Sequence, residues 1–216
     1  MVKQFVVIGC GRFGQSVAIK LAELGAEVMV VDDNEEIIQN ISDKVTYAVQ
    51  ADATDENAIK ALGIRNFDVA IVTIGSDIQS SILVTLLVKE LGVKHIVAKA
   101  QTAAHAKVLY KIGANRVVFP EKEMGVKVAK SLVSSNVLDL IDLAPEYSIL
   151  EITMNDEWVG KSLVEINMRR KYQISVIAIR REDEVDINVE PDRILMKDDV
   201  LIVIGNNSDL KKIEKK

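Results

Sequence analysis

One cysteine and two histidines are all that 216 residues offer of the softer metal ligands and the commonest acid–base group. A lone cysteine cannot form an intramolecular disulfide, and it suits a reducing compartment. Beyond His105 there is neither histidine nor cysteine. No metal-spaced His/Cys cluster, no Ser-His-Asp arrangement and no HExxH occurs. His95, at the start of a strand, and His105, near the start of a helix, read as solvent-facing. Excess positive charge is also missing. Against 27 Lys and Arg stand 32 Asp and Glu, a formal net charge of −5, which argues against a dedicated nucleic-acid binder. The short cluster Arg169-Arg170-Lys171 reads as a solvated helix end. The longest apolar stretch, near Ile82 to Val88, is too short to cross a bilayer, so any membrane role must come through a partner. The chain runs straight into its first strand, and no signal peptide is expected.

What is present is a core: 49% of residues are apolar. The most informative stretch is QFVVIGCGRFGQSVAIKLAELGAEVMVVD, Gln4 to Asp32. Gln4 to Ile8, apolar without a break from Phe5 on, carries the mark of a strand buried on both faces. Gly9-x-Gly11-x-x-Gly14 follows at once. Val17, Leu21 and Leu24 recur at helical spacing, Gly25 ends the helix, and a second strand closes at Asp32. Gly9 allows the tight turn, Gly11 lets backbone amides approach a phosphate, and Gly14 lets the helix pack close to the sheet. The helix N-terminus offers free N–H groups to an anion. Asp32 can accept from ribose hydroxyls and repels a 2′-phosphate. The strand before, the helix after and the acid at the expected distance make this a nucleotide-binding signature.

Alternation of helix and strand continues through Thr46–Gln50, Val69–Ile74, Ile96–Ala98 and Arg116–Phe119, with a last helix from Met124 to Ser134. Six strands with helices between them predict an open parallel sheet of order 3-2-1-4-5-6. Ala51-Asp52-Ala53-Thr54 and Thr73-Ile74-Gly75-Ser76 sit at strand carboxyl ends and should line the ligand crevice. The pattern changes near Asn136 to Pro145. Beyond it come a half-exposed strand from Ser148 to Met154, a helix from Gly160 to Met168, strands at Ile174–Arg180 and Val200–Ile204, and a final helix from Asn207. The expected fold is α/β: a Rossmann-like doubly wound domain over 1–136, then a small α+β domain over 137–216.

Several residues keep two readings. Cys10 is either a thiol activated by the helix N-terminus or a small residue filling a tight turn. Arg12 is placed to pair with a terminal phosphate, or points into water. Glu121, after the sixth strand, is a carboxylate for a divalent cation shared with phosphates, or a polar helix entry. The helix from Asp77 to Leu91 is apolar around its whole circumference, which marks either burial under neighbouring helices or a subunit interface.

These residues resemble a known family, the cytosolic RCK-type regulatory subunits of bacterial Ktr and Trk potassium-uptake systems, most closely the Ktr branch. The carriers are GCGRFG (Gly9 to Gly14), VDDN (Val31 to Asn34), ADATDE (Ala51 to Glu56), VTIGSDIQSSILVTLLVKELG (Val72 to Gly92), AKAQ (Ala98 to Gln101), KIGANRVVFPEKEMG (Lys111 to Gly125) and VGKSLVEINMRRKY (Val159 to Tyr172). The resemblance implies an N-terminal RCK lobe that binds ATP or ADP through Gly9, Gly11, Arg12, Phe13, Gly14, Asp32, Asp52, Ala53, Ile74, Gly75 and Lys99. In it Arg12 matches the reader of the γ-phosphate, and Glu121 a carboxylate associated with a divalent cation, Mg or Ca. Dimers would assemble into a homo-octameric ring that docks on an integral membrane K⁺-translocating subunit. The protein would be cytoplasmic and peripheral at the inner face of the membrane, with no catalytic residues. A TrkA-C-type domain would bind cyclic di-AMP through Leu163, Ile166, Asn167, Arg169, Ile174 and Pro191. An NAD(H)-dependent oxidoreductase or NADH sensor is the alternative. An enzyme of that kind needs a second domain that positions substrate and supplies an acid or base.

Overall fold

A computed structural model describes residues 2–75, 77–133 and 137–214. Ser76 of the expected crevice, Ser134 at the expected helix end and Asn136 at the expected boundary lie outside them. The chain divides into two compact units, Met1–Glu121 and Lys122–Lys216.

The first unit alternates β1 (Gln4–Ile8), α1 (Arg12–Glu23), β2 (Glu27–Asp32), α2 (Glu35–Ile41), β3 (Tyr47–Gln50), α3 (Glu56–Ala61), β4 (Val69–Val72), α4 (Ile78–Glu90), β5 (His95–Lys99), α5 (Ala103–Lys111) and β6 (Arg116–Val118). Helix α6 (Pro120–Val133) begins here and runs into the second unit. The sheet is parallel with the predicted order, β3-β2-β1-β4-β5-β6. Val6, Ile8, Val31 and Val72 pack into one core layer, and Val7, Val28 and Val30 into the other. Burial on both faces is why these strands read as unbroken apolar runs. Register sets Ile8 between Val31 and Val72, so the central strands end level. The strand order reverses between β1 and β4, which opens a crevice above their carboxyl ends.

Helix starts separate structural ends from a free one. Asn34, Asp55, Asp77 and Thr102 each accept a backbone N–H at the start of α2, α3, α4 and α5. Such a cap contributes about 1 kcal/mol. Helix α1 begins after Gly11 with no side-chain cap and no acid in its first turn. Its leading N–H groups are left for something else.

One expectation changes here. His105 does not face solvent: it is 4% exposed, on the side of α5 that also buries Ala106 and Leu109. Burial lowers its pKa. Helix α4 is only half covered. Ser81, Val84, Thr85 and Val88 are buried, while Ile78, Leu83 and Leu86 form an exposed apolar strip. Thr85 is accommodated by donating back to the Ser81 carbonyl at 2.7 Å.

The second unit holds an antiparallel sheet of order β10-β9-β11-β8-β7. Its strands are β7 (Val137–Ala144), β8 (Tyr147–Thr153), β9 (Ser175–Arg181), β10 (Glu184–Asp186) and β11 (Asp199–Asn206). Helices α7 (Leu163–Ile166), α8 (Met168–Tyr172) and α9 (Asn207–Glu214) complete it. Leu150, Ile152, Ile179, Leu201 and Val203 pack with Trp158, Tyr172, Leu195 and Ile213. The expected single helix over Gly160–Met168 is instead two short ones. Asn167 turns left-handed at φ 55 between them, a conformation that asparagine tolerates better than most residues. Strand β7 replaces part of the expected boundary segment. Leu138, Ile141 and Leu143 are exposed along it, so its sequence carries no clean in–out alternation.

Candidate nucleotide-binding site

The crevice above β1 and β4 is a cleft of about 640 Å³. Gly9, Gly11, Arg12, Phe13, Asp32, Asp52, Ala53, Ile74, Gly75, Lys99 and Glu121 all line it. Gly14 lies beneath it, buried. The three glycines do different jobs. Gly9 turns at φ +83, and a Cβ there would stand 2.8 Å from the Ile74 side chain. At Gly14 a Cβ would stand 2.4 Å from the Gly9 carbonyl oxygen and 2.6 Å from Thr73 Oγ1. Thr73 Oγ1 donates to that same carbonyl, locking the turn to the end of β4. At Gly11 a Cβ would meet nothing within 4 Å, so the missing side chain leaves open space over the turn.

The acids are oriented by the backbone. Asp32 Oδ1 accepts from Asn34 N at 2.9 Å, and Oδ2 from Cys10 N at 2.5 Å. Asp52 Oδ1 accepts from both Thr54 Oγ1 (2.6 Å) and Thr54 N (2.8 Å), which hold its carboxyl below the ordinary carboxylate value. Each carboxylate keeps lone pairs free for hydroxyl donors. Cys10 is fully buried, and burial, with Asp32 adding to it, pushes its thiol up to about 12. It is the small filler of the turn, not an activated thiol.

Cations take the other side. The Lys99 ammonium pairs with Glu121, and a Cβ on Gly75 would stand 3.1 Å from it. The pair holds the Glu121 carboxyl low, with a smaller contribution from Arg12. Along the sheet order, Asp52 stands over β3 and Asp32 over β2. The glycine turn and Arg12 follow β1, Gly75 follows β4, and Lys99 ends β5. The cleft therefore has an acidic end, with Asp32, Asp33 and Asp52, and an end that holds both of its cations, Arg12 and Lys99, with Asp77 and Glu121 beside them. Thr54 and Thr73 line it as expected from the strand ends, whereas sequence reasoning passed over Asp33, Asn34, Asp77 and Ser80, which also line it. Asp77 and Ser80 were legible as a helix cap: Ser80 Oγ donates to Asp77 Oδ2 at 2.5 Å.

The second unit treats its expected ligand residues differently. Arg169, Asn167 and Pro191 are exposed and Leu163 is half-buried, but Ile166 and Ile174 are 6% and 1% exposed. Both belong to the unit's own core, and Ile174 packs against Gly205. They are not surface contacts in a single chain. Val164 N donates to the Pro191 carbonyl at 3.0 Å, which joins the Pro191 segment to α7. Val164 and Ile194 are exposed beside that junction.

Two family models match the chain, the TrkA-N domain over residues 5–120 and the TrkA-C domain over residues 147–216. The Ktr system potassium uptake protein A of Bacillus subtilis (strain 168) is 46% identical over 212 residues, 98% of this chain and 96% of that protein. Protein C of the same system is 45% identical over 216 residues, 100% of this chain and 98% of that protein. The chain belongs to the Ktr potassium-uptake family. A solved structure of the GsuK channel bound to NAD shares the fold, with a TM-score of 0.66 at 19% identity. The match covers 99% of the Ktr chain but 39% of that channel chain. This Ktr protein thus shares the RCK fold, and α6 and β7 fall almost entirely between the two family matches. Among the described residues no helix is long and apolar enough to cross a membrane. Nor does any group of three or more His, Cys, Asp or Glu among them suit a metal ion. Glu121, the expected cation carboxylate, pairs instead with the Lys99 ammonium in this structure.

Proposed function

We propose that this Ktr protein is a cytosolic, nucleotide-gated regulatory subunit that controls K⁺ flux through an integral membrane partner. The observation that carries the reading is the polarity of the cleft. Ribose hydroxyls suit Asp32 and Asp52 over β2 and β3. Phosphates suit the uncapped start of α1, Arg12 and Lys99 over β1 to β5. ATP and ADP fill that polarity and differ only at its basic end, and NAD(H) fits the acidic end equally well. ATP and ADP would then stabilise different assemblies in proportion to their differential affinity. Gating by differential affinity needs no bond-making by the protein, and no chemistry is proposed for it.

Calorimetric titration tests this. Asp32→Ala should weaken ATP and ADP by roughly 1.5–3 kcal/mol, the range for hydrogen bonds to a charged group. NADP should bind worse than NAD, because its 2′-phosphate meets Asp32. Arg12→Ala should weaken ATP more than ADP and bring the two together. Equal binding of NAD and NADP, or equal losses for ATP and ADP, would remove these roles.

The same reading makes the exposed strip of α4 the contact between lobes in a ring, built from dimers up to an octamer, at the inner face of the membrane. Leu83→Asp or Leu86→Asp should leave circular dichroism unchanged and lower the mass seen by light scattering. A monomeric wild type would sink the ring. Cyclic di-AMP is the ligand proposed for paired second units. The supporting feature is the exposed apolar junction of Val164, Ile194 and Pro191, with Leu163 at its edge and the cation of Arg169 on the neighbouring helix.

A further inference from the structure

The basic end of the cleft contains one cation that is not free. Lys99 is 12% exposed, whereas its partner Glu121 is 71% exposed. Lys99 stands at the end of β5, a rigid strand, with its ammonium against the backbone at Gly75. Glu121 sits in the first turn of α6 and also feels Arg12. Glu121 Oε1 thus holds a donor that a terminal phosphate could use, and the carboxylate competes for it.

We infer that Lys99 is a partner-exchanging specificity residue: Glu121 holds its ammonium in the empty cleft, and a terminal phosphate displaces that carboxylate when nucleotide binds. The inference rests on the cleft being a nucleotide site. Its chemistry follows from the donors present. An ammonium has three donors and no acceptor, so it can pass from carboxylate to phosphate without reorienting a rigid fork. A buried-side lysine left without a counter-ion would lose solvation with nothing in return. Glu121 supplies that counter-ion until a ligand does. The exchange also makes binding selective. A nucleotide with no phosphate within reach of Lys99 gains nothing from breaking the pair. One that reaches it recovers the lost interaction and leaves Glu121, on its exposed side, to water.

The test is a double-mutant cycle read by calorimetry on the full chain in EDTA, with ATP and AMP as probes. Glu121→Gln removes the competing charge while keeping the shape. It should tighten ATP by roughly tenfold, the scale of one charged hydrogen bond, and leave AMP within about twofold. Simple like-charge repulsion between Glu121 and phosphate would also tighten ATP, so the second arm decides. In the Lys99→Met background, Glu121→Gln should give a gain several-fold smaller. An equal gain in both backgrounds, or weaker ATP binding by Glu121→Gln, overturns the exchange while leaving the nucleotide site standing. Failure of ATP, ADP and NAD all to bind the wild type removes the site and the exchange together. Thermal unfolding of each variant without ligand separates loss of fold from loss of affinity. Lys99→Met should be the less damaging single change, because it leaves the exposed Glu121 able to hydrate.

Discussion

Gly14→Ala is expected to destabilise the first unit by about 3 kcal/mol and to abolish measurable nucleotide binding, whereas Gly11→Ala is expected to leave stability unchanged. The asymmetry comes from what each new Cβ would meet. At Gly14 it would stand 2.4 Å from a backbone carbonyl oxygen and 2.6 Å from Thr73 Oγ1. Neither can swing away, since the carbonyl belongs to the Gly9 turn and Thr73 is already donating to it. Helix α1 must retreat from the sheet, and overpacking of that kind costs about 1–3 kcal/mol, more when backbone has to move. Gly11 has φ −66 and open space around it, so alanine is tolerated by the fold. Its methyl group would instead stand over the turn where phosphate is expected. Gly11→Ala should therefore lose affinity alone. Calorimetric melting together with ATP titration reads both quantities. Stability equal to wild type in Gly14→Ala would mean that the close packing of α1 is not what the third glycine serves.

The first unit was legible because its physics is periodic. Parallel strands covered on both faces give unbroken apolar runs, helices between them give the crossovers, and right-handed crossovers dictate the strand order. Cleft residues at strand ends follow from that order. Contacts made by chain crossing were not legible in this way. Lys99 and Glu121 are brought together only because β6 carries the chain back beside β5, as Val97↔Arg116 and Lys99↔Val118 show. No spacing rule predicts that an ion pair follows. His105 misled for a related reason: near a helix start it reads as polar, yet α5 turns that position inward. In the second unit the elements are short, and local backbone choices decide. The left-handed Asn167 splits one apparent helix into two. Ile174, which the family resemblance implies as a ligand contact, is packed into the core of the single chain.

Asp199 carries the other large expected effect, on the second unit. Its side chain is fully buried at the start of β11. Oδ1 accepts from Arg181 Nε and Oδ2 from Met196 N, each at 2.8 Å, and Arg181 is its cross-strand neighbour. Met196 O accepts in return from Asp199 N at 3.1 Å, closing the turn that leads into the strand. Burial opposes ionisation, but the Arg181 guanidinium and the Met196 N–H outweigh it, so the carboxyl stays below its ordinary 3.8. A group with a depressed folded value stabilises the fold above its unfolded value, and that contribution fades as pH falls through the folded one. Asp199→Ala removes the charged acceptor shared by Arg181 Nε and Met196 N and should cost about 2–3 kcal/mol at neutral pH. Trp158 is the chain's single tryptophan and is buried in this unit, so its fluorescence in urea follows the relevant transition. The gap between wild type and Asp199→Ala should narrow below pH 4 as the wild-type carboxylate is protonated. Asp199→Asn should lose less than alanine, because its carbonyl can still accept from Met196 N. A gap that stays constant from pH 7 to pH 3 would show that the ionised pair contributes nothing and that the turn is held by packing alone.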